Sequence, residues 1–344
     1  MTQPLRIGTL GAARITPAAL VKPAAVHREV EVVAVAARDR GRAEKFASKH
    51  SIPTIHDSYE ALIADPQVDA VYNPLPNGLH GRWTIAALEA GKHVLCEKPF
   101  TANADEAEQV AAVAAKHPDL VVMEAFHYRY HPLVTRLLAV VASGEIGDVQ
   151  RIETRMCFPL PMFNDIRYQL DLAGGALMDA GCYAVHQLRT LAGAEPEVVS
   201  AETKTKQPQV DRWTKVELRF ADGRTGGIEC SMWSKKLLTL GALVHGSRGE
   251  MKVLNMTGPQ YYHRVTVTTK DPRSGVTSRR KEQVKGEATY WYQLQAFTKA
   301  VREGGPVLTP PSDSIANMRV IDAIYRAAGL EPRRPTPVSP SPSR

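Results

Sequence analysis

The sequence predicts a two-domain α/β protein, with a doubly wound parallel sheet first and an antiparallel sheet with helices after it. Up to about residue 125, short and continuously apolar segments alternate with amphipathic helical segments. This pattern is typical of a parallel sheet that helices cover on both faces. From about residue 148, segments alternate apolar and polar positions between turn signals. That pattern indicates an antiparallel sheet with one face that is solvated or covered by a partner.

Five apolar segments are predicted to form the strands of the first domain. They span 5–10, 30–37, 68–73, 93–96 and 120–126. Helical segments lie between them at 41–50, 58–65, 79–91 and 104–117. After the first strand, Thr16 and Pro17 supply a helix N-cap and a proline at the first helical position. We place this domain at residues 1–126.

The second domain, which we place at 127–330, begins with the change of pattern. Its alternating segments include 148–158, 214–221, 226–233 and 238–246. Helical patterns occupy about 176–192, 288–303 and 312–329, and the sequence leaves open whether the last two pack back on the first domain. The remaining segment, 331–344, is rich in proline and serine, so we expect a disordered tail.

Composition and charge argue against several classes of protein. No apolar run reaches the roughly 18 residues that indicate a membrane span. The chain enters its first strand within a few residues of Met1, which leaves no room for a signal peptide, so we expect a cytoplasmic protein. The net charge of +7 is spread along the chain, which favours a basic surface that attracts small anions over a nucleic-acid site. Four scattered cysteines are expected to be free, mostly buried thiols: Cys96, Cys157, Cys182 and Cys230.

The loop after the first strand carries a degenerate form of the dinucleotide fingerprint G-x-G-x-x-G/A. The residues concerned are Gly8, Gly11, Ala13 and Arg14, and Ala13 occupies the second glycine position. A strand precedes the loop and a capped helix follows it, which is the context that a pyrophosphate site requires. The alternative is an ordinary glycine-containing loop between a strand and a helix.

The end of the second strand favours NADP(H) over NAD(H). An NAD site needs an acidic residue at this point for the ribose hydroxyls, and here the position is taken by Ala37. Arg38 and Arg42 follow, and a guanidinium group fits a phosphate in a planar, bidentate manner. Two alternatives remain: Asp39 reaches the ribose, or these charges are only the solvated first turn of a helix.

The fourth strand ends in two opposite charges and a proline, Glu97-Lys98-Pro99. Ligands of an open parallel sheet bind outside the carboxyl ends of its strands, so Lys98 is expected at the cofactor crevice. A lysine there can donate to a reacting oxygen and stabilise its negative charge. The alternative is an ordinary ion pair at the surface.

Five stretches together resemble the glucose–fructose oxidoreductase / inositol dehydrogenase / rhizopine-catabolism dehydrogenase family, abbreviated Gfo/Idh/MocA. They are PNGLH at 76–80, CEKP at 96–99, EAFHYRYHP at 124–132, GEIGDVQRI at 144–152 and AGGALMDAGCYAVHQLRTLAG at 173–193. The resemblance extends over about residues 5–330 and is greatest to the branch of dimeric dihydrodiol dehydrogenase, D-xylose dehydrogenase and glucose–fructose oxidoreductase. It implies a Rossmann domain followed by an α/β domain whose large open sheet commonly mediates oligomerisation.

The resemblance also implies a hydride-transfer site centred on Lys98. Asp179 and Tyr183 carry over from the helix motif, where many family members have His at the tyrosine position. Four residues apart on a helix, they lie on one face and can converge on one substrate oxygen. We expect the Lys98 ammonium to favour the Tyr183 phenolate, so that this tyrosine transfers the proton.

Further candidates surround this proposed centre. Asn77, His80 and Glu97 are predicted near the nicotinamide or its ribose, although His80 equally fits a surface position at a helix N-terminus. The candidates for the substrate cavity are Arg129, Arg167 and His186, with a structural role as the alternative for His186.

His127 and His131 have a spacing that zinc ligands use on helices. Pro132 and the aromatic residues between the two histidines argue against a helix, so we expect no metal.

The resulting hypothesis is an NADP(H)-dependent oxidoreductase acting on the CH–OH group of an aldose, an inositol or a trans-dihydrodiol. A homodimer or homotetramer through the open sheet is expected. Two alternatives remain: a noncatalytic NADP(H)-binding regulator, and an imine or tetrapyrrole reductase, which would need a larger and more apolar cavity.

Overall fold

Two sheets organise the chain in the computed structural model, which describes residues 3–162, 164–235 and 238–337. The first sheet consists of β1 (Leu5–Leu10), β2 (Val30–Ala36), β3 (Thr54–His56), β4 (Ala70–Asn73), β5 (His93–Cys96) and β6 (Val122–Glu124). Its neighbouring strands are all parallel, in the order β3-β2-β1-β4-β5-β6. The prediction of a doubly wound parallel sheet is confirmed. The sequence patterns did not indicate β3, whose three residues are too few to show a period.

Helices cover both faces of this first sheet. They are α1 (Lys22–Val26), α2 (Arg40–His50), α3 (Tyr59–Ala64), α4 (His80–Glu89) and α5 (Ala104–Ala114). Successive strand residues point to opposite faces, so Val71 packs with Leu62 and Trp83 on one side, and Tyr72 packs with Leu20 on the other. The chain leaves β1 toward β2 on one side and returns to β4 on the other, which creates a crevice at the carboxyl ends of these strands.

The second sheet has eight strands in the described residues. They are β7 (Val149–Cys157), β8 (Pro196–Gln207), β9 (Val210–Phe220), β10 (Thr225–Ser231), β11 (Thr239–Gly246), β12 (Gly249–Leu254), β13 (Arg264–Lys270) and β14 (Thr277–Glu282). Their order is β14-β13-β12-β11-β7-β10-β9-β8. β7 and β10 pair in parallel and the other neighbours are antiparallel, which confirms the prediction of a mostly antiparallel sheet.

The two faces of the second sheet differ in chemistry. After α6 (Pro132–Ala142) has linked the sheets, α7 (Cys182–Ala192) packs on one face, where Thr154 Oγ1 donates a hydrogen bond to the main-chain oxygen of Ala184 at 2.8 Å. On the opposite face the Arg151 guanidinium pairs with the carboxylates of Glu153 and Glu217, at 2.9 and 2.8 Å. This second face is therefore a charged and ion-paired surface.

The two C-terminal helices, α8 (Thr289–Glu303) and α9 (Pro311–Ala327), return to the first sheet. Leu294 and Phe297 of α8 enter the apolar cluster beneath β1 and β4. Ser314 of α9 donates from Oγ to Glu124 Oε2 at 2.6 Å, at the end of β6. In the part of the chain that the structure describes, no helix combines the length and the apolarity that crossing a membrane requires.

The segment after α9 corrects the prediction of a disordered tail for residues 331–337. Arg333 is completely buried, and its guanidinium pairs with Asp211 at 3.0 Å and donates from Nε to the Gly174 oxygen at 2.6 Å. Farther along, the main-chain N–H of Thr336 donates to the Gly78 oxygen at 2.8 Å. The proline-rich composition did not reveal these partners because they lie far away in the sequence. Residues 338–344 of the predicted tail lie outside the described residues.

Candidate active site

Hydrogen bonds to the neighbouring strand β4 hold the segment that follows β5 in place. The main-chain N–H of Glu97 donates to the Asn73 oxygen at the end of β4, at 3.0 Å. The Glu97 carboxylate is buried and accepts from the Tyr72 hydroxyl at 2.8 Å and from the Lys98 main-chain N–H at 3.3 Å. Burial raises the pKa of Glu97, and the Lys98 charge opposes that rise. Glu97 thus fixes the backbone that carries Lys98.

The Lys98 side chain points to Asp179, as the motif predicts. Lys98 Nζ lies 3.0 Å from Asp179 Oδ1 and 3.0 Å from the main-chain oxygen of the same residue. Asp179 Oδ2 binds Arg167 Nε at 3.0 Å, so one carboxylate joins two cations. Burial opposes both ionised forms, yet the ion pairs prevail: the pKa of Lys98 is raised and that of Asp179 is lowered. This cluster is therefore charged, and contacts within the protein hold it together.

Tyr183 stands beside this cluster but does not bond to Lys98. A π-helical turn, Leu177–Gly181, precedes α7 and carries Asp179, and such turns occur frequently at functional sites. Lys98 Nζ lies 5.0 Å from the centroid of the Tyr183 ring. Burial, with the nearby Tyr290 and Glu97, holds the pKa of Tyr183 well above its usual value. This corrects the expectation that Lys98 favours the phenolate: in this arrangement burial keeps Tyr183 a neutral hydroxyl.

His127 is a member of the site that the sequence analysis considered only as a metal ligand. It begins the 3₁₀ turn His127–Tyr130 after β6, and its Nε2 lies 3.0 Å from the Tyr183 hydroxyl oxygen. His131, its supposed partner, instead accepts at Nδ1 from the Leu133 N–H and caps α6. The sequence could have indicated His127 by its position, because this residue follows a strand whose carboxyl end faces the crevice.

The loop after β1 fits a phosphate-binding turn. Gly11 has a φ of +85°, and its N–H donates to the Ala36 oxygen at the end of β2, at 2.6 Å. A Cβ added at Gly11 would lie 3.2 Å from Leu75, so both the conformation and the space favour glycine there. Ala13 follows in the same loop, where its main-chain oxygen accepts from the Thr16 N–H. These positions remain our prediction for the pyrophosphate.

Gly8 has a different role from the one predicted. It lies inside β1, where an added Cβ would approach Leu62 of α3 to 2.7 Å. Its lack of a side chain therefore lets α3 pack closely on the strand, and Gly8 does not line the loop. The glycine spacing alone could not separate packing from ligand contact.

The arginines after β2 lie exposed beside this loop. The Arg42 guanidinium donates to the Ala12 oxygen at 3.4 Å, which brings it to the glycine loop, and Arg38 is exposed just before it. Asp39 caps α2 by accepting from the Arg42 main-chain N–H at 2.8 Å, so one oxygen of its carboxylate has a structural role. Arg40 pairs with Glu44 and Asp57. Arg38 and Arg42 remain our prediction for a 2′-phosphate.

Arg14 extends from the glycine loop with 82% of its side chain exposed. Its guanidinium lies 3.9 Å from the carboxylate of Asp165 in the second domain. Asn77, in the loop after β4, donates from Nδ2 to the Ala173 oxygen at 3.1 Å, which ties that loop to the segment before the π-helical turn. Arg14 and Asn77 therefore stand where the two domains meet.

The structure corrects the role predicted for His80. Its ring is 1% exposed, and the two ring nitrogens lie 2.7 Å from the Pro99 oxygen and 2.6 Å from the Leu75 oxygen. His80 thus joins the loop after β4 to the segment that carries Lys98. It supports the site from behind and is not placed for direct contact with a cofactor.

The three predicted substrate residues have separate positions. Arg167 joins the site, where its guanidinium pairs with both Asp165 and Asp179. Arg129 lies half-buried in the turn after His127. His186 is buried, with Nδ1 2.5 Å from the Tyr128 hydroxyl and Nε2 2.9 Å from Asp313 Oδ2. His186 is therefore structural, which corrects its prediction as a substrate contact.

Comparisons with known proteins agree with this architecture. A family model described as the oxidoreductase family with an NAD-binding Rossmann fold matches residues 5–125, and the GFO/IDH/MocA C-terminal domain matches residues 134–252. D-xylose 1-dehydrogenase (NADP(+)) 2 of Haloferax volcanii is 38% identical over 94% of this chain and 97% of its own. Trans-1,2-dihydrobenzene-1,2-diol dehydrogenase of Mus musculus is 37% identical over 67% of this chain and 68% of its own.

A solved structure has the same fold over nearly the whole chain. It is a 3-ketoreductase from Actinomadura kijaniata in complex with NADP and TDP-benzene, with a TM-score of 0.87 and 29% identity. The match covers 94% of this chain and 98% of that one. With both domains matched in order and full-length relatives above 30% identity, this chain belongs to the Gfo/Idh/MocA family of oxidoreductases.

Proposed function

We propose that this protein is an NADP(H)-dependent oxidoreductase that interconverts an alcohol and a carbonyl group of a sugar-like or trans-dihydrodiol substrate. The observation that carries the proposal is the position of Lys98 at the crevice, bound to Asp179 and next to Tyr183. The names of the Haloferax and Mus relatives support an aldose and a trans-dihydrodiol as substrate types, and we include inositols in the range as well.

The cofactor choice rests on the residues around the glycine loop. Gly11 provides the turn for a pyrophosphate, and Arg38 and Arg42 provide exposed guanidinium groups for a 2′-phosphate. Asp39, which could have bound the ribose of NAD, serves as a helix cap. NADP appears in the name of the Haloferax relative and in the description of the Actinomadura structure, which supports the same choice.

The chemistry follows from the charges of the cluster. A bound nicotinamide supplies or accepts the hydride. In the reductive direction, Lys98 donates a hydrogen bond to the substrate oxygen and stabilises the negative charge that grows there. Tyr183 gives its hydroxyl proton to that oxygen, and the proton returns to Tyr183 in the oxidative direction. Asp179 keeps Lys98 charged and directed at the crevice.

The test is NADP⁺ reduction, followed by absorbance, with aldoses, inositols and trans-dihydrodiols as substrates. NAD⁺ and Lys98→Ala serve as parallel controls. Turnover with NADP⁺ that disappears in the variant supports the proposal and identifies the substrate class. NADPH binding without turnover on the whole panel favours the noncatalytic regulator. A cyclic imine and a tetrapyrrole are added to the panel. Turnover of only these two compounds would favour the imine or tetrapyrrole reductase.

Two further features belong to the same proposal. We infer a homodimer or homotetramer through the outer face of the second sheet, where Arg151 and its glutamate partners present an ion-paired surface. Sedimentation at two salt concentrations tests this, because screening weakens such an interface.

A reducing, cytoplasmic location is supported by four cysteines that are all buried free thiols: Cys96, Cys157, Cys182 and Cys230.

A further inference from the structure

His127 is the direct hydrogen-bond partner of the proposed proton-transfer residue. Its side chain is 5% exposed, with Nε2 3.0 Å from the Tyr183 hydroxyl oxygen and Nδ1 2.7 Å from Thr289 Oγ1. The Tyr290 ring lies against the imidazole at a centroid distance of 4.1 Å. Two hydrogen bonds and one ring contact therefore fix the plane of His127, and they come from α7 and α8.

The imidazole is neutral in these surroundings. Burial, with the Lys98 charge, lowers the pKa of His127 to about 3. The titratable groups that face it are Tyr183 from α7, Tyr290 from α8 and Lys98 from the segment after β5. A neutral ring has one N–H, so either Nε2 or Nδ1 carries the proton.

The two tautomers have opposite consequences for Tyr183. If Nδ1 carries the proton, Nε2 can only accept, and the Tyr183 hydroxyl must point its proton at His127. If Nε2 carries it, His127 donates to the Tyr183 oxygen, and Thr289 can donate its hydroxyl proton to Nδ1. The second arrangement leaves the Tyr183 proton free to face the crevice.

We propose that His127 is the positioning residue of Tyr183, donating from Nε2 to its oxygen so that the hydroxyl proton faces the substrate. This inference rests on the proposed function. During carbonyl reduction the Tyr183 O–H bond breaks and a new O–H bond forms on the substrate oxygen. The phenolate that remains accepts the His127 hydrogen bond, and solvent reprotonates it when the product leaves. His127 thus stabilises the charge on Tyr183 without giving up its own proton.

Two substitutions separate the two hydrogen bonds. The amide nitrogen of glutamine can occupy the position of Nε2, and that of asparagine the position of Nδ1. His127→Gln keeps a donor to Tyr183, whereas His127→Asn keeps the contact to Thr289 and loses the one to Tyr183. We expect His127→Asn to lower kcat roughly 10- to 100-fold with little change in KM, since a hydrogen bond to a charged group is lost. His127→Gln should lose several-fold less.

The same substitutions in a Tyr183→Phe background show whether the effect passes through the hydroxyl. There the Asn and Gln variants should have equal residual kcat, because the bond that distinguishes them is absent. The proposal would be overturned if His127→Asn and His127→Gln lost the same amount of kcat in the wild-type background. It would also be overturned if their kcat values still differed in the Tyr183→Phe background. Thermal unfolding of each variant identifies losses that come from misfolding.

A spectroscopic measurement tests the arrangement independently of turnover. Two-bond ¹H–¹⁵N NMR spectra of histidine-labelled protein, with the His127 signal assigned by its loss in His127→Gln, report which nitrogen is protonated. We expect a neutral ring with the proton on Nε2 at pH 7. A proton on Nδ1, or on both nitrogens, overturns the inference. Absence of turnover on every substrate, together with an Nε2–H ring, would count against the proposed function and leave the geometry of His127 and Tyr183 standing.

Discussion

The proposed cofactor side and the proposed catalytic side of the crevice differ in how far their side chains are exposed. On the cofactor side, Arg14 has 82% of its side chain exposed, and Arg38 and Arg42 are exposed as well. On the catalytic side, the side chains of Lys98 and Asp179 are only 14% and 12% exposed and bind each other at 3.0 Å. The first group is therefore open to solvent and to ligands, whereas the second is buried and held by contacts within the protein.

This difference indicates where each part contributes its free energy. Buried charges that are fixed before the reaction stabilise a transition state without rearranging, so their loss should lower kcat. Exposed guanidinium groups improve binding of the ground state and the transition state alike, so their loss should raise KM. The predictions below test this division, and their expected effects become smaller from one to the next.

Lys98→Met should have the largest effect, a decrease in kcat of about 10³-fold, because the donor to the substrate oxygen is lost. NADPH affinity should change little, since Arg38 and Arg42 follow β2, which is three strands away from β5 in the sheet. Steady-state kinetics and fluorescence titration with NADPH measure the two quantities.

Lys92→Met is the matched control for this lysine. Lys92 is also buried, but its Nζ donates to the main-chain oxygens of Asp65 and Val68, away from the crevice. This variant should have a lower melting temperature and nearly normal kcat. If both lysine variants lost kcat equally, the effect would be structural and the assigned role of Lys98 would be incorrect.

Tyr183→Phe should lower kcat by about 10²- to 10³-fold, because general acid–base catalysis by a positioned group contributes on that scale. The Phe ring preserves the packing against Phe126, whose ring centroid is 5.5 Å away, so folding should be maintained. A solvent isotope effect on kcat should also change. A variant with wild-type kcat would require another proton donor.

Asp179→Asn should move the basic limb of the pH profile of kcat/KM to lower pH, because the neighbouring negative charge that favours protonated Lys98 is lost. In the wild type, the Asp179 charge and its neighbours outweigh burial and raise the pKa of Lys98, so the charged form is lost only as pH rises through this raised pKa. Without the carboxylate, burial and the Arg167 charge both lower the pKa. An unshifted limb, with Glu153→Gln as the control on the outer face, would contradict this coupling.

Arg38→Ala combined with Arg42→Ala should have the smallest effect, an increase in the KM for NADP⁺ of about tenfold, with kcat retained at saturation. The KM for NAD⁺ should hardly change. Arg40→Ala is the control, because Arg40 pairs with Glu44 and Asp57. A double variant that discriminates between the cofactors as the wild type does would remove the argument for a 2′-phosphate site.

The predictable part of the molecule is the part that depends on local sequence. The parallel sheet follows from apolar runs, and the position of Lys98 at its edge follows from the strand that ends at Cys96. The resemblance implied Asp179 and Tyr183, and their spacing of four residues placed them on one face, but their approach to Lys98, 81 residues from Asp179, is not encoded in local sequence.

The unpredicted part depends on contacts between distant segments. His127 meets Tyr183 and Thr289 across 56 and 162 residues, and no periodicity encodes such contacts. Arg333 similarly finds Asp211 at a separation of 122 residues, which converts a segment of disordered composition into a buried one. His186 looked like a site residue because it follows Tyr183 closely, but the helix turns its ring toward Asp313 instead.

The most direct test of this division compares Lys98→Met with the double variant Arg38→Ala/Arg42→Ala in one experiment. NADPH dissociation constants and kcat at saturating cofactor are measured for both variants and for the wild type. We predict opposite behaviour: Lys98→Met binds NADPH normally and does not turn over, and the arginine variant binds weakly and turns over at close to the wild-type rate. If the two variants changed the NADPH dissociation constant and kcat to the same extent, this would contradict the division between an exposed side that binds cofactor and a buried side that carries out catalysis.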